Sequence, residues 1–317
     1  MGVILLTLLF RLFEVGLPQG ALRLLQLDIL ADKETGRDVR SLRIERDLTF
    51  PFLRESSPPM DLPQEPERPA FTPADAEAIE LTNAGGKTPD LPALMTAPLA
   101  WELEAEGPTV LIVHTHTSES YTKDGEDYEE SAAYRTLEED YNMLSIGDRV
   151  AKLLEEAGIR VIHDREVHDY PSYNGAYAHA RKSIRAVLEE YPGIQLVLDL
   201  HRDAVQVGSG QMSTHVMVGG SDASQLMLVL GTGNNSLPSP KWEDNLSLAL
   251  KLQTVLERSC PGICRPVSLR SQRFNQDLAP FSLLVEVGAA GDTRQRALRA
   301  ADQLAEAIIA LKDGAAE

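Results

Sequence analysis

The chain has 317 residues, 43% of them hydrophobic, and a formal net charge of −18. Its size and apolar content suit one large α/β domain with an N-terminal extension. The acidic balance excludes a nucleic-acid binder, whose phosphate-facing surface needs dense Lys and Arg, and it disfavours adsorption to anionic membranes.

The chain opens with GVILLTLLFRLFEVG, an apolar run interrupted by Arg11 and Glu14. It falls short of the roughly 20 apolar residues of a membrane span, and no small-residue cleavage site follows it. An uncleaved anchor, the remnant of a longer anchor and an amphipathic core helix all fit. The first two are preferred, so residues 1–53 are taken as an anchor or its remnant with a juxtamembrane segment. Residues 54–99, which include RESSPPMDLPQEPERPAFTP, hold few apolar side chains to offset the entropy of ordering, and their prolines make them semi-stiff. They read as a linker to a globular domain over 100–317.

From residue 100 strands and helices alternate. TVLIVH is a short β-branched run suited to a buried parallel strand, and NMLSIGDRVAKLLEEAG continues it as a helix with Gly158 at the C-terminal cap. RVIHD is the next strand and AYAHARKSIRAVLEEY the next helix. QLVLDLHRDA gives a third buried strand, and THVMVGG and LMLVLGTG two more. WEDNLSLALKLQTVLERS is a helix, SLLVEVGAAG a strand, and TRQRALRAADQLAEAIIALKDG the last helix. The fold class is therefore α/β, with a mainly parallel sheet flanked by helices. Cys260 and Cys264 are too few for a disulfide scaffold and make no complete metal site, so they read as free thiols.

In open α/β sheets functional groups gather beyond the carboxyl ends of strands. Three strands here end in metal-compatible residues: TVLIV runs into His114, His116 and Glu119, LVLDL into His201 and Arg202, and LLV into Glu286. His116 and Glu119, three apart on a turn, project to one side, and His201 completes a His-Glu-His set. Two His and one carboxylate around zinc leave a position for water, whose pKa the metal lowers toward 7. An unligated carboxylate must then carry the proton, and Glu286 is placed to do so. His114, two residues before His116, is an alternative ligand or a group orienting one. Glu138, Glu139 or Asp140 compete with Glu119. The blander reading of each residue, a satisfied structural histidine or a buried structural carboxylate, weakens when three strand ends converge on one chemistry.

The segments VLIVHTHTSESY, NMLSIGDRVAKLLEEAGI, VIHDREVHDYPSYNGAY, LVLDLHRDA, WEDNLSLALKLQ, RPVSLRSQRFNQ and LLVEVGAAG resemble the stage II sporulation protein P family over roughly residues 108–311. The resemblance implies a relative of zinc N-acetylmuramoyl-L-alanine amidases, acting on peptidoglycan between the muramic acid lactyl group and L-alanine, with cross-link endopeptidase activity. It also implies a membrane-anchored protein facing the space between mother cell and forespore during engulfment, with stage II sporulation proteins D and M as partners. Carried over by residue, the metal falls on His116, Glu119 and His201 and the proton transfer on Glu286. The short, charge-interrupted N-terminal run and the Cys260–Cys264 stretch depart from the expected pattern.

Substrate contacts are expected from Tyr173 and Asn174 in the HDYPSYNGAY loop, from Arg270 and Arg273 as forks for a stem-peptide carboxylate, and from Arg202 as an oxyanion partner. Two other classes compete: a zinc carboxypeptidase on wall peptides, which needs such an Arg, and a non-catalytic wall-binding module. A nucleotide site at GTGNN lacks the glycine pattern and lysine of a phosphate loop.

Overall fold

A computed structural model of the chain describes residues 68–125 and 127–314. In chain order the elements are α1 (Pro73–Glu77), β1 (Leu81–Asn83), α2 (Leu91–Thr96), β2 (Val110–Val113), α3 (Met143–Glu156), β3 (Val161–His163), α4 (Ala176–Glu190) and β4 (Leu196–Asp203). They continue with β5 (Gln206–Val207), β6 (Gly210–Gln211), β7 (His215–Val218), β8 (Ser221–Ser224), β9 (Leu226–Gly231), α5 (Trp242–Ser259), β10 (Val267–Arg270), β11 (Ser282–Ala289) and α6 (Arg294–Ala310).

Seven strands form the central sheet in the order β1-β10-β9-β11-β4-β2-β3, parallel throughout except where β9 meets β11. The carboxyl ends of β2, β4 and β11 therefore share one edge, while those of β9 and β10 lie at the other. β5–β6 and β7–β8 form separate two-stranded ribbons, so THVMVGG makes a hairpin outside the main sheet.

Side chains alternate between the two faces of each strand. Val110, Ile112, Leu196, Leu198, Leu200, Leu283, Val285 and Val287 share the larger core with α3, α5 and α6. Each fully buried side chain of this kind stabilises by about 1.5–3 kcal/mol. The other face carries Leu111, Val113 and Val197 against Ala180 and Ile184 of α4, and Leu284, Val229 and Met227 against Phe274. On this second face the apolar alternation stops partway along β4 and β11: Asp199, His201 and Glu286 follow in the positions where more aliphatic side chains would continue it.

Residues 68–99 belong to this fold, which corrects the linker expected over 54–99. Leu81–Asn83 extends the sheet edge beside β10, and Ala76, Met95 and Leu99 are buried in the larger core. A few apolar side chains spaced between prolines suffice, because their partners come from distant α5 and β10. The expected N-terminal anchor and the first part of the linker lie outside the described residues. Among the described residues no helix is long and apolar enough to cross a membrane.

Candidate functional site

After Val113 the chain leaves the sheet in a tight turn. Thr115 donates from its backbone N (2.8 Å) and its hydroxyl (2.6 Å) to the two oxygens of Asp199 on β4. The Thr117 hydroxyl donates to the His114 carbonyl at 2.8 Å, and Glu119 N to the His116 carbonyl at 3.1 Å. One turn thus brings His116 and Glu119 to the same side, as their spacing of three predicts. His201 stands on β4 with its Nδ1 3.6 Å from Glu119 Oε2, and the His116 and His201 rings meet edge to face at 5.4 Å. Glu286 on β11 is the direct cross-strand partner of His201. Just beyond it the register shifts, and Gly288 takes φ +75° where a Cβ would press on Ser224 and Asp292. The bulge shifts the ladder immediately after the acid, and pairing with β4 resumes at Ala289 and Asp203.

The charges divide sharply. Burial pushes the Glu119 carboxyl up, but Arg202 and His201 outweigh it and hold the group down at about 2. Arg202 N and Nη1 lie 3.3 and 3.5 Å from its oxygens, and Arg135 Nη2 lies 3.4 Å away. Burial holds His116 down at about 4, which leaves a neutral imidazole at neutral pH. For His201, burial is outweighed by Asp199 and Glu119, and its basicity is raised. Burial lifts Glu286 to about 8 against the opposing pull of His201, with the Glu119 and Asp203 carboxylates adding to the rise.

Whether a metal fits is read from atoms left without partners. His116 Nδ1, His201 Nε2 and Glu286 Oε2 are all buried with no hydrogen-bond partner. Buried polar atoms are seldom left this way. His201 Nε2 has the Asp199 carboxylate 2.9 Å away, whereas His116 Nδ1 and Glu286 Oε2, with His201 Nδ1 3.6 Å from Glu119, suit a cation and its water. The tightest donor group among the described residues is a different one: Asp164, Glu166 and His168, within 4.8 Å of one another. There Asp164 already accepts from Glu166 N, His168 Nε2 and the Ser183 hydroxyl, so its oxygens are spent on the loop. His116, Glu119 and His201 are buried donors of the types zinc takes, with Glu119 also accepting from Arg202 and Arg135.

The remaining expected residues are distributed as follows. His114 does not join the set, because the turn at Thr115 makes the two histidines diverge instead of sharing a face. Its Nδ1 meets the Leu200 carbonyl at 3.1 Å and its Nε2 meets His163 Nε2 at 2.8 Å, beneath α3. Arg202 is buried, with Nε and Nη2 on the Ser120 and Tyr134 carbonyls at 2.9 and 2.8 Å. It clamps the loop that carries Glu119 and is closed to an oxyanion. Tyr173 stacks on His116, centroids 4.4 Å apart, and Asn174 is exposed in the next position. Arg270 pairs in register with Gly231 at the opposite edge of the sheet, and Arg273 lies 3.2 Å from Asp277. The residue after Arg273, Phe274, packs on Tyr177 with ring centroids 5.9 Å apart. Glu138, Glu139 and Asp140 are exposed, and Glu139 pairs with Arg165. Cys260 and Cys264 are free thiols.

Four neighbours were not foreseen. Asp199 joins His201 to Thr115. Asp169 accepts from Ser118 and, at 2.7 Å, from Arg135. Arg135 also lies 4.5 Å over the Tyr173 ring. Tyr177, in the first turn of α4, packs against His116 at 5.6 Å and His201 at 6.5 Å. A cleft of about 420 Å³ lined by Ser118, Arg135, Asp169, Tyr170 and Tyr173 opens beside them. Asp199 alone carried a signal, since Asp at i and His at i+2 on a strand share a face.

A sequence model of stage II sporulation protein P (SpoIIP) matches residues 49–309. Stage II sporulation protein P of Bacillus subtilis (strain 168) is 25% identical over 210 residues, 62% of this chain, and the chain spans about half (49%) of that relative's length. Among solved structures, N-acetylmuramoyl-L-alanine amidase AmiC2 of Nostoc punctiforme is 15% identical, covering 66% of this chain and 97% of that one, with a TM-score of 0.39. The CwlD amidase of Clostridioides difficile, solved in complex with the GerS lipoprotein, is 13% identical over 64% of this chain and 96% of that one, with a TM-score of 0.38. With a family match that takes in the whole site, from His116 to Glu286, and all three strand ends that build it, the chain belongs to the stage II sporulation protein P family.

Proposed function

We propose that the chain is a zinc-dependent peptidoglycan hydrolase that cleaves the amide between the muramic acid lactyl group and L-alanine, with stem-peptide cross-links as a second target. The observation that carries this is the pair of buried, unpartnered atoms His116 Nδ1 and Glu286 Oε2 beside Glu119 and His201 Nδ1 at three strand ends. His116, Glu119 and His201 would hold the metal, which when bound polarises the scissile carbonyl and lowers the pKa of water. Glu286 does the proton work. Its carboxyl, lifted to about 8 by burial, sits near neutrality, where a group can both accept a proton from water and return it to the leaving amine. Arg202 and Arg135 keep Glu119 ionised and aimed inward. Tyr173, Tyr170 and the cleft beside them offer an aromatic and polar wall for glycan or stem peptide.

Arg270 at the opposite edge of the sheet and Arg273 engaged by Asp277 favour the amidase over a carboxypeptidase, which needs a free carboxylate clamp. A role in engulfment, membrane attachment facing the intermembrane space, and association with stage II sporulation proteins D and M complete the proposal. The test is digestion of cross-linked peptidoglycan by the full chain, with and without a chelator, with products identified by mass spectrometry. Zinc-restorable release of intact stem peptides is expected. Release of C-terminal residues alone would replace the amidase with a carboxypeptidase, and no product from zinc-loaded protein would leave a binding module.

A further inference from the structure

Asp199 is an unexpected residue for its place. It sits in the middle of LVLDL, is 4% exposed, and follows Val197 on a sheet face that is otherwise apolar up to that level. A carboxylate there is costly unless its oxygens are well partnered. Two of its bonds go to Thr115: Oδ1 accepts from the backbone N at 2.8 Å and Oδ2 from the hydroxyl at 2.6 Å. Oδ1 retains a second lone pair. That oxygen lies 2.9 Å from His201 Nε2, off the N–H axis. The other ring nitrogen, Nδ1, lies 3.6 Å from Glu119 Oε2, and the His116 ring stands edge to face with His201 at 5.4 Å.

We propose that Asp199 is a positioning residue that keeps the His201 proton on Nε2, so that Nδ1 presents its lone pair toward Glu119 and His116, and that ties this ring to the turn bearing His116. The inference rests on the metal reading above and adds to it the ligating atom of His201 and the group that selects it. One carboxylate then coordinates two strands. Its bonds to Thr115 set where the β2 turn begins, and its contact with Nε2 sets the ring's orientation. A carboxylate behind a ligating imidazole fixes tautomer and direction and raises ligand basicity, and losing such a partner typically weakens metal binding ten- to a hundred-fold.

Asp199→Asn separates the ligand-orienting role from a merely structural one. The amide oxygen still accepts from Thr115 N and the amide nitrogen can donate to the Thr115 hydroxyl, so the turn keeps both bonds while the negative charge behind His201 is lost. Thr115→Val is the complement, removing the hydroxyl bond and leaving the His201 contact. Zinc affinity of the full chain is measured by competition with a chromophoric chelator, beside the melting temperature of the metal-free protein. The His201 tautomer is read from two-bond ¹H–¹⁵N spectra of zinc-loaded wild type. Expected are a proton on Nε2, zinc binding about ten-fold or more weaker in Asp199→Asn, and near wild-type binding in Thr115→Val. Asp199→Asn with wild-type affinity, or a wild-type proton on Nδ1, overturns the assignment while leaving the metal reading intact. Wild type that binds no zinc overturns both. The tautomer needs no variant, so an Asp199→Asn protein that fails to fold does not protect the proposal.

Discussion

Glu286→Gln tests the chemistry and the electrostatics of the site with one change. The amide is nearly isosteric and cannot ionise, so it removes the proton carrier and the buried titration together. In the metal-free protein Glu286 titrates at about 8 instead of the usual 4.5, because burial disfavours its charge. The sign follows from linkage. Below pH 4.5 the group is protonated in both states and costs nothing. Between 4.5 and 8 the unfolded chain ionises first, so the folded state loses stability with rising pH at about 1.4 kcal/mol per unit. At pH 7 the deficit reaches about 3 kcal/mol, a ceiling because the residue is partly exposed. Glu286→Gln should therefore unfold at higher urea than wild type at pH 7, both with chelator, and at nearly the same urea at pH 4.5. With zinc restored it should bind the metal and lose turnover about a hundred- to ten-thousand-fold. A variant with wild-type activity would remove Glu286 from proton transfer, and equal stabilities at pH 7 would show that its carboxyl is not held neutral by burial.

His201→Ala should behave differently, losing zinc itself in a metal-content assay of dialysed protein, whereas a remote structural histidine would leave stoichiometry unchanged. Lys251, 1% exposed with Nζ on the Leu94 carbonyl and the Ser247 hydroxyl, is pulled by burial from 10.5 to about 8. The folded state then releases its proton before the unfolded chain does. Stability should climb between pH 8 and 10.5 by roughly 3 kcal/mol relative to Lys251→Met in denaturant titrations. Gly147 lies inside α3, where alanine would ordinarily stabilise, but a Cβ there would meet His114 Nε2 at 2.5 Å and press on His163 as well. Gly147→Ala should lower the unfolding free energy by about 1–3 kcal/mol, and a gain would show that the histidine pair moves aside freely. Met95 is fully buried within α2, and Met95→Ala should cost about 2–5 kcal/mol by the same assay if residues 68–99 are part of the fold.

Periodicity was a good guide wherever an element makes its own case. β2, β4, β9 and β11 are runs of aliphatic residues with few alternatives, and α5 spans the helix expected at Trp242–Ser259. The three strand ends converge as their order predicts, because β2, β4 and β11 are parallel neighbours. What was not legible depends on distant partners. Leu81–Asn83 is a strand only because β10 offers it an edge, and Met95 and Leu99 look like linker residues until the larger core receives them. His114 was misplaced for a local reason: the turn that anchors Thr115 to Asp199 breaks the extended geometry on which a shared face depends. Arg270 ends β10, a strand parallel to β9, and the single antiparallel pairing of β9 with β11 sends that end to the far edge. No composition or spacing announces that reversal.

The same alternation that builds the sheet also divides the labour at its active edge. Along β4, Leu198 and Leu200 enter the larger core while Asp199 and His201 face the second side. The next residue, Arg202, returns to the first side, where a charge would be unwelcome, and avoids the penalty by reaching the Ser120 and Tyr134 carbonyls. In doing so it fixes the loop that carries Glu119, so consecutive residues of one strand would supply one proposed ligand and the clamp for another. β11 repeats the arrangement with Val285 and Val287 in the core and Glu286 opposite His201. A buried acid held near neutrality is a liability to folding, and the aliphatic side chains on either side of it in sequence are what make that liability tolerable. Function in this chain is therefore placed one residue out of phase with stability, on the strands that contribute most to the core.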